Sequence, residues 1–270
     1  MKRAERTAIL SQILTTSPNH LFTLDEICEK FNISKTTASE DISLVKSAFD
    51  KSNHGSIYTK RGPGGGFIYL PWASNESACG YLKEICTMLS DPKRVLGGGF
   101  IFTSDVMFNP SIVYKLAAIF VSQFKSLKPD YIVTVETKGI PLALMTAHLL
   151  NVPAVVVRRE HKISEGPTIS INYFSSAAGK MKKMSISKYS IKPGSKAIII
   201  DDFMRAGGSI KGVYEILQEL HIEILNVGVA IASKVPSEKK ISQYLPLMYL
   251  DDIDEQNKTI TIYPNENIFK

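Results

Sequence analysis

The sequence predicts an α/β protein in two parts, and three observations carry that reading. Its opening segment holds three helical patterns. Two short alternating runs around a Gly/Pro-rich turn follow them. Beyond, near-continuous apolar runs alternate with amphipathic stretches, the pattern of a mostly parallel sheet covered on both faces. The chain has 270 residues, 44% hydrophobic and 21% charged, so it fits one large domain or two unequal ones of ordinary globular composition.

In the first part, residues 3–15 read as a helix with Ile9, Leu10, Ile13 and Leu14 on one stripe. "SPNHLF" is a turn. A second helix begins at Thr23, where Thr23 and Glu26 have the spacing of a capping box. Leu24, Ile27 and Phe31 share its apolar face. Ser34 can cap a third helix running to about Phe49, with Ile42, Val45 and Phe49 at helical spacing. Ser56–Lys60 and Phe67–Leu70 then flank "RGPGGG", a hairpin signal. Three helices and a hairpin make a winged helix-turn-helix, a unit that lays the second member of its helix–break–helix pair in the major groove of DNA. The expected domains are 1–72 for this unit and 73–270 for the remainder.

For DNA contact, Lys35, Thr36, Thr37 and Ser39 lie near the start of the recognition helix, and Lys60 and Arg61 lie on the wing. Lys2, Arg3 and Arg6 could reach phosphates. Each lysine could equally be a solvated surface charge. Glu40 and Asp41 suit the helix N-terminal half through its dipole but would repel phosphate if turned toward it. The net charge is +6, and residues 1–72 hold nine Lys/Arg against seven Asp/Glu. That excess is mild and does not by itself establish nucleic-acid binding. Lys180, Lys182, Lys183, Lys188, Lys192 and Lys196 form a run without an intervening acid, either a further positive surface or a plain solvated face.

In the second part, 76–90 and 110–127 read as helices separated by "LGGGFIFTSD". "YIVTVE", "AVVVRR", "KAIIIDD" and "ILNVGVAIA" read as strands, with helices at "PLALMTAHLL" and "SIKGVYEILQEL". The interval 160–190 is polar with strand character in "TISINYF", and short strands fall near "LMYL" and "TITIY".

The segment "IIIDDFMRAGGSI", Ile198 to Ile210, carries the chemistry. A buried strand ends on Asp201 and Asp202, where open α/β sheets place ligands. Gly207 and Gly208 permit φ > 0 and close backbone approach, and the helix near Ser209 presents free N–H groups. Such a loop and helix terminus bind phosphate. The carboxylates would repel that anion, so they suit hydroxyls or a shared Mg²⁺. Vicinal hydroxyls beside a phosphate describe a ribose 5-phosphate. The plainer alternative is a strand–turn–helix corner with Asp as turn former.

"IIIDDFMRAGGS" resembles the phosphoribosyl pyrophosphate (PRPP) motif of type I phosphoribosyltransferases. The resemblance implies ribose hydroxyls on Asp201 and Asp202, and the 5-phosphate on Arg205, Ala206, Gly207, Gly208 and Ser209, with Phe203 and Met204 between them. The enzymes often carry Thr where this chain has Ala206, so one hydroxyl donor is missing. "TVETKGIP" is similar to the family's pyrophosphate loop, with Thr137, Lys138 and Gly139 at its turn and Pro141 suited to a first helical turn. "VRREHKISEGPTIS" resembles the active-site loop of purine phosphoribosyltransferases, where Arg158, Arg159 and Lys162 could meet pyrophosphate; a solvated basic loop is the alternative. Phe102 and Phe203 are candidates to flank a nucleobase, or else core residues.

End to end, the chain is similar to the purine operon repressor family of Gram-positive bacteria. "SKTTASEDISLVK", "GPGGGFIYLP", "NPSIVYK", "TKGIPLA", "SINYFS" and "IIDDFMRAGGSI" carry that likeness. It implies a cytoplasmic, homodimeric repressor that binds operator DNA, senses PRPP and lacks catalytic residues and enzymatic activity. A competing guanosine tetraphosphate would share the pocket. The competing readings are a working purine phosphoribosyltransferase that carries a DNA reader, and a DNA-binding protein whose second domain is inert.

Other classes find no support. The N-terminus "MKRAERTAILSQIL" lacks the apolar core and cleavage site of a signal peptide, and no apolar run approaches a membrane span. Cys28, Cys79 and Cys86 suit a reducing compartment and read as small buried residues. No Walker motif occurs. His20, His54, His148, His161 and His221 have no metal-ligand spacing, so no metal site is expected.

Overall fold

Residues 1–52, 55–71, 74–159, 166–175 and 180–270 are described by the computed structural model, with the side chains of 174, 175 and 180 excepted. They form two units: Met1–Ser74 with His148–Asn151, and Asn75–Ala147 with Val152–Lys270. Trp72, His54, His161 and Lys162 lie outside the described residues.

The first unit is a winged helix-turn-helix. Its helices are α1 (Arg3–Thr16), α2 (Leu24–Phe31) and α3 (Lys35–Ser52), followed by β1 (Ser56–Lys60) and β2 (Gly66–Leu70). The capping box forms: Glu26 N donates to Thr23 Oγ1 at 3.2 Å and Thr23 N donates to Glu26 Oε2 at 2.7 Å. Ser34 Oγ accepts from Thr37 N at 3.2 Å at the head of α3. The two strands pair antiparallel from Ser56↔Leu70 to Lys60↔Gly66. Phe22 bridges to Phe67, which ties the turn after α1 to the wing. Leu10, Leu14, Ile27, Ala38, Val45, Ile57, Phe67 and Tyr69 form the core, drawn from all five elements.

An ion cluster seals α1 against α3. Asp41 is 2% exposed, and Arg6 Nε reaches it at 2.7 Å while Arg3 Nε reaches it at 3.2 Å. Arg3 also meets Glu40 at 3.2 Å. Breaking one partner of a buried pair is costly because the other charge stays behind. We therefore expect Asp41→Asn to loosen this unit: amides of α1 and α3 should exchange at least about tenfold faster in peptide-resolved hydrogen exchange, with the larger unit unaffected. Unchanged exchange would mean that the cluster is ornamental.

The second unit begins with α4 (Asn75–Leu89), then β3 (Val95–Leu96) and β4 (Phe100–Ile101), α5 (Ser104–Met107) and α6 (Pro110–Gln123). The Gly-rich stretch between the two helices is a two-stranded hairpin, with Gly98 and Gly99 at φ 76° and 70° turning it. Arg94 anchors its base through Asp105 at 2.7 Å and the Phe102 carbonyl at 3.0 Å. Helix α6 starts where Asn109 Oδ1 caps Ser111 N at 3.0 Å and Pro110 occupies the first turn.

The remaining elements are β5 (Tyr131–Val135), α7 (Ile140–Leu150), β6 (Ala154–Val157), β7 (Thr168–Ser175), β8 (Lys180–Ser187), β9 (Lys196–Met204), α8 (Gly208–Glu219), β10 (Glu223–Ser233), β11 (Leu245–Asp254) and β12 (Thr259–Pro264). Six of them make one sheet in the order β12-β11-β10-β9-β5-β6. Only β12 runs antiparallel. The central strands are buried on both faces, which is why they read as unbroken apolar runs. Ala197 and Ile199 of β9 join Val213, Ile216 and Leu217 of α8 in a core cluster. The polar interval is an antiparallel hairpin, β7 with β8, whose Tyr173, Met184 and Ile186 enter the same cluster. The lysine run therefore begins on a strand, and Met184 within it is fully buried. Of the cysteines only Cys86 is buried; Cys28 and Cys79 are half-buried, because each sits at the margin of its helix's apolar face.

Candidate functional site

Strand order fixes where a ligand can enter. From β5 the chain crosses to β6 on one side, and β9 then returns to the other side of β5. That reversal is a topological switch point, where α/β sheets open a crevice at the strands' C-terminal ends. The β5–β9 ladder stops at Val133↔Ile199, and the two chains part beyond it.

A cleft of about 400 Å³ fills this gap. One wall is the run from Asp201 to Ile210, and the opposite wall is Val135 to Lys138 with Arg159. Phe100, Ile101 and Thr103 close a third side. Every residue from Asp201 to Ser209 that the sequence singles out lines it, as do Thr137 and Lys138. Gly139 sits beneath: a Cβ there would lie 2.5 Å from Asp201 Oδ1 and 2.6 Å from Thr134 Oγ1. Only glycine lets the two walls approach this closely.

Two placements differ from expectation. Phe100, not Phe102, lines the cleft, and Phe100 has the Arg205 guanidinium 5.8 Å above its ring. Alternation along an extended strand explains why neighbours two apart are easily confused in sequence, and the unread hairpin decides the matter. Of the two arginines expected there, Arg159 lines the cleft and Arg158 does not. Arg158 lies 3.5 Å from the Glu136 carboxylate, and Arg159 N donates to the same side chain at 2.6 Å. Glu136 was not singled out in the sequence, yet it joins the two loops. Lys162 falls outside the described residues.

Of the two glycines in the phosphate-type corner, Gly207 takes a positive φ and Gly208 already opens α8. Gly207 caps α8 in the left-handed region at φ 79°, without a side-chain cap. The first-turn N–H groups of any α-helix lack intrahelical partners, and the residues that carry them, Gly208, Ser209 and Ile210, line the cleft. Ala206 is buried, with its carbonyl accepting from Lys240 N at 2.9 Å.

The carboxylates are held against their preference. Asp201 is 5% exposed. Its Oδ1 accepts from Asp202 N at 3.0 Å. Burial, then the neighbouring Asp202 charge, pushes Asp201 well above the ordinary carboxylate range. Burial also raises Asp202, against the pull of Asp201's hydrogen bonding and the Lys138 charge. Among the described residues, no group of three or more His, Cys, Asp or Glu could hold a metal ion.

In the first unit, Lys35, Thr36, Ser39, Lys60 and Arg61 are exposed and Thr37 is half-buried. Lys35 pairs with Asp25 at 2.6 Å. Arg6, only 12% exposed, is turned inward to Asp41, and Arg3 shares that carboxylate, so both act within the fold. Lys2 is exposed at the head of α1, where its N–H donates to Glu5 Oε2 at 2.7 Å.

A winged helix joined to a phosphoribosyltransferase-type domain is the class that this fold and cleft define. Residues 2–71 match the family model described as the N-terminal domain of bacterial purine repressors, and 108–265 match the phosphoribosyl transferase domain. The chain is 36% identical to the purine biosynthesis transcriptional repressor PurR of Bacillus subtilis (strain 168), over 97% of this chain and 92% of that one. It is 32% identical to the purine biosynthesis transcriptional activator PurR of Lactococcus lactis subsp. lactis (strain IL1403), over 97% of each chain. The APRTase of Giardia lamblia, solved with 9-deazaadenine, shares the fold at a TM-score of 0.54 and 16% identity, covering 66% of this chain and 99% of that one. The chain belongs to the family of bacterial purine biosynthesis transcriptional regulators. No described helix is long and apolar enough to cross a membrane.

The buried carboxylates have a measurable stability cost. In the unfolded chain they titrate normally; in the fold their pKa values are raised. The folded state therefore binds more protons between the ordinary value and the raised one, and stability falls as pH rises through that window. Asp201→Asn and Asp202→Asn should each raise the thermal midpoint at neutral pH by at least about 2–4 °C, the shift that about 1 kcal/mol produces in a domain of this size. They should also flatten the fall as pH rises from the ordinary carboxylate range toward neutrality. Midpoints recorded across that range check both, and a lower midpoint for either variant would contradict the burial cost.

Proposed function

We propose that this regulator binds operator DNA through its winged helix and senses PRPP in the cleft, without turning it over. The single observation behind the reading is the pairing of opposite chemistries at one switch point. The Arg205–Ser209 corner suits an anion, and the Asp201–Asp202 pair beside it suits hydroxyls. PRPP carries both, with vicinal ribose hydroxyls next to a 5-phosphate. Its pyrophosphate would meet Thr137, Lys138 and Arg159 on the facing wall. Mg²⁺ characteristically takes one or two carboxylates and completes its shell with ligand phosphates and water, so Asp201 and Asp202 fit a metal brought by the ligand. Phe100 and Phe203 offer aromatic faces to a base, which suits a competing nucleotide such as guanosine tetraphosphate.

On DNA, Lys35, Thr36, Thr37 and Ser39 would sit at the major groove, and Lys60 and Arg61 would follow the backbone from the wing. Lys2 could add a phosphate contact. The pseudo-symmetric operators read by such motifs suit a homodimer. The ligand acts by linkage: if PRPP prefers the DNA-free form, it weakens operator binding by the same coupling free energy.

In a gel-shift titration with magnesium, PRPP should weaken operator binding by about 5- to 150-fold, the usual span of allosteric coupling. Asp201→Ala or Asp202→Ala should bind operator like the unmodified protein but lose the response. A full response in either variant would mean the carboxylates do not hold the sugar. Incubation with PRPP, Mg²⁺ and each purine base distinguishes the enzymatic reading: turnover above about 1 s⁻¹ would make the domain a working transferase. Absent turnover and an unchanged operator affinity together would leave an inert second domain.

A further inference from the structure

Behind the phosphate-type corner lies a lysine that no sequence motif includes. Lys239, half-buried after β10, points its Nζ at three backbone carbonyls: Arg205 at 2.6 Å, Ser233 at 2.5 Å and Pro236 at 2.5 Å. An ammonium has three protons and no acceptor, so these three bonds use its full capacity. Each is charge-assisted and thus stronger than a neutral bond. The next residue continues the attachment: Lys240 N donates to the Ala206 carbonyl at 2.9 Å. Ile241 lies 3.4 Å from where a Gly207 Cβ would be.

We propose that Lys239 is a positioning residue for the anion loop, tying the Arg205 carbonyl to the end of β10 so that the N–H groups of Ala206 and Gly207 stay turned into the cleft. The inference rests on the PRPP reading above and deepens it. A peptide's carbonyl and its N–H point in opposite directions. Fixing the carbonyls of Arg205 and Ala206 on the far side therefore turns the following N–H groups toward the ligand. Glycine at 207, at φ 79°, lets the chain adopt that conformation but does nothing to hold it there, since glycine has the most conformational freedom to lose. The clamp supplies the missing restraint, and a rigid loop binds better because less ordering is left for the moment of binding. Burial and the nearby Arg205 guanidinium both disfavour the Lys239 charge, so an arriving phosphate would also relieve it. Lys239 touches the back of the loop and is absent from the cleft lining, so it acts through the backbone.

The test separates the two ends of the ligand. The full chain is titrated by calorimetry with PRPP and Mg²⁺, with ribose 5-phosphate, and with Mg²⁺ pyrophosphate. In Lys239→Met, ribose 5-phosphate and PRPP should both bind at least about tenfold more weakly (about 1.4 kcal/mol). Pyrophosphate, which meets the opposite wall, should bind within about twofold of the unmodified protein. General destabilisation or lost long-range charge would weaken all three. Lys239→Arg keeps the charge, but its planar fork cannot converge three bonds on one point, so it should lose ribose 5-phosphate affinity as well; it carries the same test should the methionine variant fold poorly. Unmodified affinity for ribose 5-phosphate in Lys239→Met, an equal loss for pyrophosphate, or full binding by Lys239→Arg would each overturn the clamp. If the unmodified protein binds neither PRPP nor ribose 5-phosphate, the sensor reading fails together with it.

Discussion

The larger unit depends on one constraint: β5 and β9 run side by side through a buried sheet and then part. Their ladder ends at Val133↔Ile199, and each chain turns outward into its own loop. The crevice is what remains when two paired backbones diverge. Its width is set beneath the surface, where Gly139 lets Asp201 come within a distance that any side chain would forbid. Phosphate-type corner, acidic pair and facing loop all inherit their positions from that point.

The molecule treats two buried aspartates in opposite ways. Asp41 is met by two guanidiniums, and its charge becomes part of the α1–α3 packing. Asp201 is buried beside a second carboxylate, and the Arg159 charge offsets that only in part. Such an arrangement destabilises the fold and leaves acceptors free for an incoming hydroxyl or cation. Function commonly resides where stability is given up in this way.

Relatives named as repressor and as activator match this chain over the same 97%. The likeness thus spans both units of this chain, and the direction of the transcriptional response is a separate matter. The clamp at Lys239 fits a cleft built for occupancy, since holding a loop rigid favours tight binding.

Much of this was legible in one dimension. Alternation, capping boxes and apolar runs are local, so helices α1 to α3, the wing and the central strands follow from neighbours along the chain, as does the acidic pair ahead of Gly207 and Gly208. What depends on contacts between distant segments was not legible. The hairpin that brings Phe100 to the cleft is held by Arg94 and Asp105. The inward turn of Arg6 depends on Asp41, thirty-five positions away. Arg159 rather than Arg158 reaches the site because Glu136 engages the latter, and Lys239 meets the Arg205 carbonyl across thirty-four positions. Sequence by itself determined the two-part α/β organisation and the chemistry of the motif at 198–210, because both are written in periodicity and local order. Only tertiary structure decided which side chains face the ligand and which face the core, because a charge or ring is directed by whatever partner the fold brings beside it.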